Sequence, residues 1–141
     1  MAVLLLAVGW ARRNLVVVTV EGESMSPTYD DGDRVLVRRA RAVPSAAGAV
    51  IVLAPPADPD AFVGRRRGRE AGRLWFVKRL VAGPGDPVPA GLGPALTDAA
   101  DTPVPAGAMV IVGDNPARSH DSRQEGFVAV DRVRGVVLRK L

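Results

Sequence analysis

Lys78 lies inside the apolar run Leu74-Trp75-Phe76-Val77-Lys78-Arg79-Leu80-Val81, in a chain that carries seventeen arginines and only two lysines. Arginine keeps its proton in proteins, whereas a lysine among hydrophobic neighbours can give its proton up. An unperturbed lysine has a pKa near 10.4, so holding it neutral at pH 7 costs roughly 4–5 kcal/mol. Apolar surroundings work in that direction, because burial disfavours the charged form. A neutral amine is a general base, and a base needs a nucleophile to activate. The candidate is Ser24, in Gly22-Glu23-Ser24-Met25-Ser26-Pro27-Thr28. It follows the β-branched run Leu15 to Val20 and precedes Pro27, whose fixed φ can hold the hydroxyl and amide of Ser24 in a set direction. Arg79, the next residue after Lys78, points to the opposite face of an extended strand and keeps its charge in solvent or on a carboxylate.

A third polar group follows the apolar run Met109 to Val112. It reads Gly113-Asp114-Asn115-Pro116, then Ser119-His120-Asp121-Ser122-Arg123 and Gly126. So dense a polar segment directly after a hydrophobic strand suggests the rim of a site or a loop bonded to itself. His120 is the only histidine. A Ser-His-Asp triad through it is disfavoured, because His120 and Asp121 are neighbours that point apart in an extended segment, while a triad carboxylate must hold the imidazole from its far side.

The elements that must position these residues are short and β-branched, and Gly, Pro and Asp separate them. Strands are expected at Leu15 to Val20, Val35 to Val37, Ala49 to Leu53, Leu74 to Ala82, Met109 to Val112 and Gly135 to Leu138. Asp31-Gly32-Asp33 and Gly83-Pro84-Gly85-Asp86 read as turns, with Asp33 fixing its turn. No segment shows a sustained helical period with caps. The pattern predicts one mostly β domain over residues 14–141, built of short, strongly bent antiparallel strands. A small insertion around 87–105 is rich in Pro, Ala and Gly and has little to bury. Residues 55–73, with Arg65-Arg66-Arg67-Gly68-Arg69, read as a solvated surface excursion. The chain has 141 residues, 48% of them apolar, and aromatics make up only 4%. Its core must therefore be mostly Val, Leu and Ala. The absence of cysteine excludes disulfides and thiolate chemistry.

Taken together, the boxes resemble the type I signal peptidases, the Ser/Lys serine endopeptidases. The residues that carry the resemblance are Ser24-Met25-x-Pro27-Thr28, Gly32-Asp33, Lys78-Arg79 with Gly83-x-Gly85-Asp86, and Gly113-Asp114-Asn115 with Ser119-x-Asp121-Ser122-Arg123-x-x-Gly126. They fall in the family's order and span most of the chain. The resemblance implies the β fold of signal peptidases and self-cleaving repressors, with Ser24 as nucleophile and Lys78 as general base. Ser119 would orient the Lys78 amine, Asp121 and Arg123 would form an ion pair beneath the site, and Asp114 and Asn115 would shape the adjoining loop. The Ser24 amide would donate to the oxyanion. Many members carry a serine as a second donor two residues before the nucleophile; here that position is Gly22, which has no side chain to offer. No metal or organic cofactor is implied. The substrates would be exported preproteins with small residues one and three positions before the cut. Their chain would dock beside Val16, Val18 and Val20, in shallow pockets that include Met25.

Residues 1–13 form an apolar segment of about half the length that a membrane span requires. Two explanations fit it, a membrane anchor whose beginning is missing or a short buried or interfacial segment. The first is preferred, and it would tie the chain to membrane lipid with the catalytic domain on the extracytoplasmic face of the plasma membrane. Arg12 and Arg13 then lie outside, against the positive-inside tendency. Three other readings compete. A dedicated protease would mature one precursor, such as a superoxide dismutase, rather than the general secretome. A self-cleaving repressor would need a helical DNA-binding domain, and only about twenty residues precede Ser24. A basic β-barrel binding nucleic acid would use the net charge of +4, but it leaves the ordered boxes unexplained and lacks an aromatic platform for bases. No nucleic acid is therefore expected as a partner.

Overall fold

The computed structural model describes residues 2–56, 68–70 and 73–141, so most of the arginine-rich surface excursion lies outside the described residues. The chain opens with helix α1, Ala2–Asn14, where Ala and Leu give high helix propensity. Arg12 and Arg13 fill its last turn, where cations suit the helix dipole. Asn14 closes it by donating from Nδ2 to the Trp10 carbonyl at 2.8 Å. The β-branched run that follows turns the backbone directly into strand β1, Leu15–Thr19. No helix among the described residues is long and apolar enough to cross a membrane. The apolar side chains of α1 nonetheless face outward, with Leu6 73% and Trp10 58% exposed.

Beyond β1 come β2 (Arg34–Arg39), β3 (Val50–Leu53), β4 (Gly68–Glu70), β5 (Arg73–Ala82), β6 (Ala108–Val112), β7 (Val128–Ala129) and β8 (Val133–Lys140). The fold is mostly β, and its pairings are antiparallel. Strand order is β3-β8-β2-β1-β4-β5-β6-β7, with a further β3–β5 pairing. That extra pairing closes β3, β8, β2, β1, β4 and β5 into a ring, from which β6 and β7 extend. Register shifts in the β2–β8, β3–β8 and β5–β6 ladders supply the bends that closure demands.

Side-chain alternation divides the core. Val18, Val20, Val35, Val37, Val50, Val52, Trp75 and Val77 form one buried cluster, which also takes in Met25. The alternate residues Ile51 and Leu53 of β3 and Leu80 of β5 join Met109, Ile111, Val128 and Val133 in a second. This is why all four residues of β3 are buried: both of its faces are covered. A third cluster comes from the segment expected to bury little. Val88, Leu96 and Val104 are buried there with Ala82 and Val110, around a 3₁₀ helix at Pro94–Ala99. The excursion off the β5–β6 connection thus has an apolar centre fused to the end of the sheet.

Candidate active site

Lys78 shares one face of β5 with Phe76 and Leu80, which pack on the second cluster, and it stands opposite Ile51 in the β3 ladder. Sequence alternation therefore seats the amine in apolar company, and the residue is only 6% exposed. Its Nζ donates to Ser119 Oγ at 2.9 Å. Ser119 in turn donates to Asp121 Oδ2 at 2.6 Å.

Asp121 is the anchor of this relay. Its carboxylate is fully buried and accepts from five donors. The Gly113 amide and Ser119 Oγ reach Oδ2, the Arg123 amide and Nε reach Oδ1, and the outer guanidinium nitrogen of Arg123 reaches Oδ2 at 2.6 Å. Burial alone would raise its pKa. The donors, led by Arg123 and Ser119, outweigh that and hold it at about 2. Because the carboxylate is ionised and accepts only, the single hydroxyl proton of Ser119 is committed to it. Toward Lys78, Ser119 presents a lone pair.

Asp121 also begins the short helix α2, Ser122–Glu125, through a capping box with Gln124. The Asp-x-x-Gln spacing was the signal for that helix. The next residue, Ser122, is completely buried and accepts from the Ile111 amide at 2.9 Å. His120 pairs through Nε2 with Glu125 at 2.8 Å.

The Ser24 segment is held by the loop after β6. The Asn115 amide donates to the Ser24 carbonyl at 2.9 Å, and Asn115 Nδ2 donates to the Glu23 carbonyl at 3.0 Å. Asp114 braces both halves of the site. It accepts Thr28 Oγ1 at 2.6 Å from the Ser24 side. From the Lys78 side it accepts both Nε and the outer nitrogen of Arg79, at 2.8 and 2.6 Å. That paired contact with Arg79 holds the Asp114 carboxyl below its usual range. Arg79, left between solvent and a carboxylate by the sequence, thus finds its carboxylate thirty-five residues on.

Gly113 marks the point where the halves meet. A Cβ there would stand 2.2 Å from Ser119 Oγ and 2.5 Å from the Ser24 carbonyl, so only glycine lets the two serine segments approach.

Ser24, Lys78 and Ser119 line one open cleft of about 530 Å³, together with Val20, Gly22, Met25, Trp75 and His120. Val16 and Val18 lie further back on β1 and do not line it. Val18 is fully buried, and Val16 packs against the same core cluster. The Gly22 amide donates to Asp31 Oδ1 at 2.7 Å. No group of three or more potential metal-ligating side chains is gathered among the described residues.

A family model described as signal peptidase, peptidase S26, matches residues 1–93 and 90–140. A protein of Synechocystis sp. named probable signal peptidase I-1 is 28% identical, across 84% of this chain and 67% of its own length. The chain belongs to the type I signal peptidase family, peptidase S26, a family of proteases that process signal peptides.

Proposed function

We propose that this chain is a Ser/Lys endopeptidase that removes signal peptides from exported preproteins. The observation that carries the reading is the relay from Arg123 through Asp121 and Ser119 to Lys78, which ends in the cleft that also holds Ser24. With the Ser119 proton committed to Asp121, a neutral Lys78 spends an N–H on Ser119 and keeps its lone pair for the Ser24 hydroxyl. As Ser24 Oγ bonds to the scissile carbonyl carbon, its proton passes to Lys78. The tetrahedral intermediate collapses, the C–N bond breaks, and Lys78 returns the proton to the leaving amine. Water then attacks the acyl-enzyme, with Lys78 taking its proton, and ester cleavage restores the Ser24 hydroxyl.

The Ser24 amide serves as oxyanion donor. Gly22 adds no side chain, and its amide is engaged by Asp31, so a second donor comes from elsewhere in the cleft. An extended substrate fits along the end of β1, where Val20 and Met25 floor the cleft and favour small side chains. Helix α1, with its exposed apolar residues, supports contact with membrane lipid, and the substrates place the cleft on the extracytoplasmic face.

Cleavage of an Ala-x-Ala preprotein in lipid by wild type, Ser24→Ala and Lys78→Arg tests the mechanism. Arginine keeps the charge and forbids deprotonation. Both folded variants are expected to lose at least about a hundredfold in kcat, the lower end of what general-base catalysis supplies. Full activity in Lys78→Arg would refute the lysine base. Cleavage of one precursor out of a panel would assign the chain to dedicated maturation.

A further inference from the structure

We infer that Gly93 is a positioning residue for the reaction: the excursion between β5 and β6 seats directly on the Arg123 backbone through this glycine, and so holds the relay that ends on Lys78. The inference rests on the reading of Ser24 and Lys78 as the reacting pair.

A Cβ placed on Gly93 would lie 2.7 Å from the Cα, the Cβ and the carbonyl oxygen of Arg123. Two of those three atoms are backbone, so no rotamer change relieves the contact. The two segments would have to part by about 0.7 Å or more to reach ordinary carbon–carbon separation. Gly93 precedes the 3₁₀ helix Pro94–Ala99, and Ala95 of that helix lies beside Gly126 at the end of α2. The excursion is itself stiffened by Val88, Leu96 and Val104, buried against Ala82 and Val110. A well-packed body of this kind transmits a displacement rather than absorbing it.

What it rests on is the centre of the clamp. Arg123 supplies three of the five hydrogen bonds to Asp121 and also donates to the Gly113 carbonyl at 3.0 Å. Any movement of Arg123 therefore loosens Asp121. A loosened Asp121 releases the Ser119 proton, and a freed Ser119 hydroxyl can turn and donate to the lone pair that Lys78 needs for Ser24. The excursion touches no reacting atom; it acts by fixing which way one hydroxyl points.

The two lysines make this directly observable. With 13C-labelled lysine the full chain gives two side-chain signals, Lys78 and Lys140, and Lys140 is exposed and paired with Asp33 at 2.6 Å. In Gly93→Ala the Lys78 titration midpoint should move by about half a pH unit or more, since its hydrogen-bond partner changes character, while Lys140 titrates as before. On the Ala-x-Ala preprotein, kcat should fall on the order of a hundredfold with KM nearly constant, the pattern of misplacement rather than lost binding. A Lys78 midpoint unmoved in folded Gly93→Ala overturns the proposal, whatever happens to kcat.

Should Gly93→Ala fail to fold, Leu96→Ala softens the same seat from within the excursion. A lowered Tm with an unmoved Lys78 midpoint in that variant would count equally against the proposal. The lysine spectra are recorded in a Ser24→Ala background as well. Hydrolysis that survived Ser24→Ala would refute the reaction reading, a failure visible separately from the titration of Lys78.

Discussion

Replacing Asp121 by Asn keeps shape and removes charge, and the relay gives the consequence a size. The carboxylate accepts from five donors inside the protein. An amide accepts through one oxygen only, so its NH2 must face N–H or O–H donors in either orientation. Arg123, with its side chain 16% exposed, then loses its counter-charge, and breaking a buried pair from one side costs about 3–5 kcal/mol. Part of that cost depends on pH. The folded-state pKa of Asp121 is about 2 against an ordinary 3.8, a gap worth about 2 kcal/mol. The group is depressed on folding, so its contribution is complete well above 3.8 and is lost as pH falls toward 2. By pH 3 about half of it is gone. Urea unfolding of wild type and Asp121→Asn between pH 3 and pH 7 should show wild type more stable at pH 7, with the difference narrowing by about 1 kcal/mol at pH 3. A difference that stays constant across that range would mean that Asp121 is not the ionised anchor described here, and the commitment of the Ser119 proton would fall with it.

Two further substitutions probe the frame around the cleft. Gly113→Ala forces the Ser24 and Ser119 segments apart, because its Cβ would stand 2.2 Å from Ser119 Oγ. It should lower stability by about 1–3 kcal/mol, and kcat on the preprotein by much more than KM rises; wild-type kcat would show that the close approach is dispensable. Asp114→Asn weakens the brace between Arg79 and Thr28. The side chains are partly exposed, so urea unfolding should register a loss of only about 1 kcal/mol, and that loss should shrink on acidification as the wild-type Asp114 protonates.

The strands are legible in the sequence because Val-rich runs such as Leu15 to Val20 and Met109 to Val112 have one good use, a half- or fully buried β ladder. The pairing that closes the ring is not legible: nothing local to Val50–Leu53 says that β5 and β8 lie on its two sides. Helix α1 escapes the reading because an apolar stretch without caps carries no periodicity to separate helix from strand. The excursion reads as unpacked because Val88, Leu96 and Val104 are diluted among Pro, Gly and Ala, and their convergence depends on the sheet end beneath them. At the site, the ordered boxes direct attention to Ser24, Lys78 and Ser119, which the fold gathers around one cleft. The capping box at Asp121 and Gln124 is written plainly in the sequence and is easily passed over when the same aspartate is read for its charge. Gly93 has no sequence signal at all, since its importance lies in a neighbour thirty residues away.

The closing ladders have a consequence for how the chain reaches its folded form. β2 pairs Val35 with Lys140, and β3 pairs Ile51 with Val136. The Asn115 contact that holds the Ser24 segment spans 92 positions of sequence. Such a fold has high contact order, which places its folding in the millisecond-to-second range rather than among the fast local folders. Ser24 and Lys78 are synthesised well before β8, Val133–Lys140, and the ring that supports them cannot close until that strand arrives. The cleft that Ser24 and Lys78 line is therefore assembled only once β8 has paired, and a partly folded intermediate carries both residues without the frame that brings them together.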